Sequence, residues 1–115
     1  MITQEQLKSA TERIHKLYSY LNIEQKLIEI TNEEEKTVDP DFWNNPKEAE
    51  VFMRELRLKK KWVTDYNSII SLHEDTQILL DFFKEGDAEE AEVEEQYNQL
   101  ITLLETVEFR NMLSE

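Results

Sequence analysis

Cysteine is absent from this 115-residue chain, glycine occurs once and proline twice. Without cysteine there is neither a disulfide framework nor thiolate chemistry. So few glycines and prolines cannot furnish the turns of a sandwich, a barrel or a doubly wound sheet, which points to an all-α chain. No apolar run approaches the roughly 20 residues that a membrane helix needs, and no stretch reads as a secretory signal. A soluble, cytoplasmic protein is the expectation. Positive charge is scarce as well: 13 Lys and Arg stand against 26 Asp and Glu, for a formal net charge of −13. Binding of nucleic acid over the whole surface is thereby excluded, because such binding neutralises phosphates with Lys and Arg.

Apolar residues at helical spacing are what the sequence does have. Thr3 can cap a first helix, with Gln6 three residues on. Leu7, Ala10, Ile14, Leu17 and Leu21 follow at alternating spacings of 3 and 4, a coiled-coil-like seam. Continued, the seam would bury Glu24. The apolar positions move instead to Tyr20, Ile23, Leu27 and Ile30, which predicts a bend or a new buried face near Leu21–Asn22. Glu33, Glu34 and Glu35 should close this helix, and because carboxylates at a helix C-terminus oppose the macrodipole its end is expected to fray.

The segment Asp39-Pro-Asp-Phe-Trp-Asn-Asn-Pro46 holds both prolines and punctuates the chain. Asp39 can cap a single turn with Pro40 at its first position, and Asn45 a long helix with Pro46 at N1 and Glu48 at N3, a capping-box arrangement. Phe42 and Trp43 are expected to plug one end of a bundle, the alternative being an exposed partner-binding knob. Ala49, Phe52, Leu56, Val63, Tyr66 and Ile70 line the second helix, interrupted by Lys59 and continued by His73. Unbroken to Lys84, that helix would span about 58 Å. Gly86 ends it as a C′ residue, and Asp87 with Glu90 should cap a third helix built on Val93, Tyr97, Leu100, Ile101, Leu104 and Val107. The expected architecture is an up-down-up antiparallel bundle of three long helices, with a short helical turn between the first two.

Little in the sequence carries chemistry. Glu12-Arg-Ile-His15 has the spacing of one di-iron half-site, yet His73 lacks a glutamate three residues before it. Glu12 and His15 also fall off the seam and should face solvent, and His73 is expected as a packed or half-buried core histidine. Asp39-x-Asp41 lacks the rest of a calcium loop. No enzyme, metal or cofactor is expected. The only basic cluster is Arg54, Arg57, Lys59, Lys60 and Lys61, read either as a solvated face or as a local contact with RNA or an acidic partner.

The Asp39–Pro46 turn with Lys47, Glu48 and Ala49 resembles the N-terminal region of the bacterial peptide chain release factor 2 family. Leu17-Tyr-Ser-Tyr-Leu21 resembles the family's Leu-x-x-Tyr-Leu, and Val107-Glu-Phe-Arg-Asn-Met-Leu-Ser-Glu115 the Glu-Phe-Arg-x-Met segment closing that domain. Leu113 stands where the family has an aromatic, and no glycine separates Ser114 from Glu115. The resemblance implies an N-terminal helical domain over 1–113, with 114–115 a stub toward the codon-reading and catalytic domains. It implies a role in stop-codon (UGA/UAA) dependent release of the nascent peptide. The implied partners are the ribosomal stalk base, made of ribosomal protein L11 and its rRNA, and the GTPase release factor. The family's Gly-Gly-Gln and Ser-Pro-Phe tripeptides do not occur in this sequence, so no catalysis is expected of the chain itself, and the resemblance implies a monomer. The competing reading is a self-associating helical adaptor, a coiled-coil interaction module.

Overall fold

Thr3 opens the first helix as its spacing to Gln6 demands. The Gln6 amide donates to Thr3 Oγ1 at 3.2 Å, and the Thr3 amide donates back to Gln6 Oε1 at 2.8 Å. The computed structural model describes residues 1–114. Among them are four α-helices: α1 (Gln4–Tyr20), α2 (Ile23–Val38), α3 (Pro46–Lys84) and α4 (Glu90–Leu113). A 3-10 turn, Pro40–Asn44, joins α2 to α3, and no strand occurs among the described residues. The expected first helix is therefore two. Of the expected stub, Ser114 directly follows α4 as its C-cap, and Glu115 lies outside the described residues.

The break between α1 and α2 falls where the seam changes register. Asn22 takes φ 51° and ψ 48°, a left-handed conformation that Asn tolerates better than most residues. Its amide donates to Ser19 O at 3.1 Å, closing α1. The Lys26 ammonium reaches back to Leu21 O, and partial burial pulls that amine below the usual lysine range. Leu21 and Ile23 are both buried on either side of the joint. Of the second apolar stripe only Ile23 and Ile30 are buried, whereas Tyr20 is 63% and Leu27 47% exposed. One neighbouring helix, α3, needs only a narrow seam from α2.

α2 also runs on to Val38 instead of stopping at its three glutamates. Glu33 and Glu34 bind Lys59 and Lys60 of α3, which offsets their unfavourable place near a helix C-terminus. Asp39 and Asn45 cap as expected, accepting from the amides of Asp41 at 2.9 Å and Glu48 at 3.3 Å, although Glu48 does not complete a capping box.

α3, 39 residues long, is the element that every other helix packs against. The molecule's extents of 60 × 29 × 19 Å follow from it. Contacts run in opposite order along α1 and α3: Gln4 meets Gln77, Thr11 meets His73 and Tyr18 meets Tyr66. Ala49, Leu56, Val63 and Tyr66 are buried as the seam requires. Beyond Tyr66 the seam shifts by one residue: Ile69, not Ile70, is fully buried, followed by Thr76 and Leu80. Here α3 packs against both α1 and α4, and the stripe rotates to lie between two neighbours. His73 is half-buried and its Nε2 lies 2.7 Å from Thr11 Oγ1, which itself donates to Leu7 O at 3.1 Å.

At the far end of α3, Asp87 N–H donates to Phe82 O at 2.8 Å and Gly86 N–H to Phe83 O at 3.0 Å, a Schellman closure. Gly86 has φ +81°, where a Cβ would be strained. The next cap falls on Glu89 with Glu92 rather than on Asp87 with Glu90. Two residues are spent on the glycine turn before the chain can re-enter a helix. Val93, Leu100, Leu104 and Val107 are all 0% exposed, making α4 the best-buried seam.

Candidate functional site

Two stretches were singled out by sequence, and the fold treats them differently. The five cations at 54–61 lie on the half of α3 that α2 covers. Lys59 Nζ sits 2.6 Å from Glu33 and 3.4 Å from Glu29, and the Glu33 hydrogen bond raises its pKa. Lys60 binds Glu34 at 3.0 Å. Lys61 turns to Asp65 at 3.1 Å, and Arg54 back to Glu50 at 3.1 Å. Arg57 is exposed and makes no ion pair among the described residues. The cluster therefore clamps α2 onto α3 with Lys59 and Lys60, and leaves Arg57 as its free cation. Exposed pairs of this kind contribute about 0–1 kcal/mol each, so Lys60, Lys61 and Arg54 can exchange partners at small cost.

The turn at 39–46 is not a plug. None of its helical residues is buried, Phe42 is half-buried and Trp43 is 50% exposed. The reason lies in helix lengths: α4 ends at Leu113, a turn beyond its bond to Asp65, so only α2 accompanies the first turns of α3 and there is no bundle end to fill. Trp43 is nonetheless held. Its Nε1–H donates to Thr37 O at 3.0 Å, and its ring meets Phe42 edge-on with centroids 4.8 Å apart. Phe42 in turn packs on Phe52 at 5.0 Å, under the Lys36 ammonium 5.9 Å from that ring. The result is a rigid, half-exposed indole at the tip of the α2–α3 hairpin.

Periodicity gave no sign of the cross-helix bonds at the C-terminal end of α4. Arg13 of α1 pairs with Glu108 through Nε at 3.1 Å, which raises the Arg13 pKa further. Arg110 bonds Asp65 at 2.7 Å and lies over Trp62, 4.5 Å from the ring centroid. Burial alone would push the Asp65 carboxyl up; its bonds to Arg110 and Lys61 outweigh that and hold it below the usual carboxylate range. Glu12 and His15 are exposed, and no cluster of three metal-binding side chains occurs among the described residues. No helix described here is long and apolar enough to cross a membrane.

The two stretches thus present a held, half-exposed indole and a set of largely paired cations. Comparison with known proteins gives this surface its context. The PCRF domain model matches residues 23–115. Peptide chain release factor 2 of an Exiguobacterium species is 28% identical over 101 residues, covering 88% of this chain and 27% of that protein. The Haemophilus ducreyi protein of the same name is 28% identical over 111 residues, covering 95% of the chain and 30% of the relative. That of Rickettsia typhi is 30% identical over 69 residues, 60% of the chain and 19% of the relative. The chain thus spans less than a third of the length of these curated relatives.

Proposed function

Since this chain belongs to the PCRF domain family, we propose that it serves translation termination as the N-terminal helical domain of a type 2 release factor. The domain match over residues 23–115 is the observation that carries the reading. The domain is residues 1–113, with 114–115 leading onward. In this reading it docks at the ribosomal stalk base, against ribosomal protein L11 and its rRNA, and communicates with the GTPase release factor. Stop-codon reading at UGA and UAA and hydrolysis of peptidyl-tRNA belong to other parts of the protein, since the sequence has neither tripeptide for those tasks. The domain works in the cytoplasm and has no catalysis of its own.

The fold supports docking in two respects. The chain runs up-down-up, with α1 and α2 as one broken limb, a reading supported by the opposite order of contacts along α1 and α3. This makes a stiff rod that can carry a contact at its tip. The buried seams of α1, α3 and α4 are filled within one chain, which favours a monomer over the self-associating adaptor. Of the candidate contacts Arg54, Arg57, Lys59, Lys60 and Lys61, Arg57 is the one without an ion pair among the described residues and is the cation that would meet a phosphate first, while the other four would have to exchange a carboxylate partner.

A titration of labelled domain against the isolated complex of ribosomal protein L11 with its RNA tests this reading. Weak binding that weakens further with salt and with Arg57→Glu is expected. Binding indifferent to salt and to Arg57→Glu would remove the basic set from the mechanism. No binding would leave the domain a spacer.

A further inference from the structure

The last turns of α3 break two local rules at once. Its solvent stripe, directly opposite the buried seam, reads Lys60, Thr64, Asn67, Ser71, Glu74 and then Ile78, Phe82 and Glu85. Ile78 is 50% exposed and Phe82 48%, four residues apart on one helix face and hence side by side. Single exposed apolar residues are ordinary, but these two adjoin in a stripe that is otherwise polar. Around them stand Glu74, Asp75, Asp81 and Glu85, all exposed, and none makes an ion pair among the described residues. Asp81 accepts only from Gln77, and the nearby cation Lys84 is occupied with Gln4.

Asp81 and Glu85 are also misplaced for stability. They sit at a helix C-terminus, where the dipole disfavours negative charge. On α2 the same misplacement is offset by Lys59 and Lys60. On α3 the last turn has one cation, Lys84, which bonds Gln4, and neither carboxylate has an ion-pair partner among the described residues. The acidity extends beyond the patch: ten of the 26 acidic residues lie between Glu74 and Glu95, with Lys84 as the one cation. Places where local rules fail without internal compensation are where a partner is expected to supply it.

We propose that the Ile78–Phe82 face of α3, rimmed by Glu74, Asp75, Asp81 and Glu85, docks a basic amphipathic polypeptide helix. Its aliphatic residues would cover Ile78 and Phe82 while Lys or Arg at its flanks meets the carboxylates. The same field repels nucleic acid, so this surface is distinct from the Arg54–Lys61 set in both position and ligand class. The inference does not depend on the ribosomal reading, because it rests on this face alone.

The test is an NMR titration of the ¹⁵N-labelled full chain, without ribosomes. The probe is a synthetic helical peptide bearing two leucines four residues apart, flanked by lysine and arginine. A control peptide has both leucines replaced by glutamine, and a short RNA oligonucleotide represents the other class. Saturable shifts centred on 71–85 are expected, with Ile78→Ser or Phe82→Ser weakening binding about tenfold, the size of a lost apolar contact. Glu74→Gln with Asp75→Asn should weaken it too, and circular dichroism should show each variant folded. Equal binding of the glutamine peptide, or shifts spread along 87–95, would reduce the surface to non-specific charge and overturn the proposal. So would binding of the RNA here, or insensitivity to Ile78→Ser and Phe82→Ser.

Discussion

The Arg110 guanidinium bonds the Asp65 carboxylate at 2.7 Å while lying over the Trp62 ring, and so fastens the end of α4 to the middle of α3. With the Arg13–Glu108 pair beside it, this explains the Glu-Phe-Arg segment of α4 in mechanical terms. Glu108 reaches α1, Arg110 reaches α3, and Val107 is buried between them. Arg110→Ala should cost about 1–3 kcal/mol, the range for a charge-assisted hydrogen bond left unmade, with the stacking on Trp62 included. A double-mutant cycle with Asp65→Asn in urea should show coupling. Losses that simply add would mean the two side chains act separately.

Acid should weaken the same clasp. The Asp65 pKa is lowered in the fold, so its contribution is fully present above the ordinary carboxylate value of about 3.9 and is lost as pH falls through the lower folded value. Between pH 5 and about 2 the urea midpoint of the natural chain should therefore fall more than that of Asp65→Asn. Parallel curves would mean that Arg110 and Lys61 do not hold this carboxylate.

Asn22 sets the joint between α1 and α2 by its left-handed backbone. Asn22→Ala should destabilise by about 1 kcal/mol, because a Cβ without a compensating side-chain polar group is disfavoured there, while Asn22→Gly should be nearly neutral. Thermal melts of the two variants check the difference. Equal loss in both would place the cause in the side chain instead of the backbone.

Leu56→Ala and Leu104→Ala each empty a buried site and should cost about 2–5 kcal/mol. They differ in place. Leu104 belongs to the part where α1, α3 and α4 pack together, and Leu56 to the part where α2 alone covers α3. Amide exchange should therefore be slower at 66–80 and 97–107 than at 46–58 and along α2. Uniform protection would contradict a rod stabilised unevenly along its length.

Much of this architecture was legible in the sequence, and for a physical reason. Helical spacing at Leu7–Leu17 and Val93–Val107, the prolines at 40 and 46 and the glycine at 86 are local signals, and local signals act before tertiary contacts form. The register change at Leu21–Asn22 was also legible, though not that it would cut the helix in two. What escaped depends on which helices end where. Trp43 and Phe42 carry the apolar area of a plug, but α4 stops short of them. Ile69 displaced Ile70 because two neighbours share that face. Lys59 and Lys60 read as a free basic cluster until α2 brought Glu29, Glu33 and Glu34 alongside. No spacing rule links Arg110 to Asp65, 45 residues apart.

In the proposed function this chain docks on the ribosome and neither reads codons nor hydrolyses ester. Fluorescence anisotropy of the labelled chain, titrated with bacterial 70S ribosomes carrying a stop or a sense codon in the decoding site, tests it most directly. In that reading the other domains of a release factor supply effective concentration, so binding of this chain by itself should be weak. It should also be equal on the two codons and reduced by salt. Tighter binding on the stop codon, or no binding to either ribosome, would contradict the account.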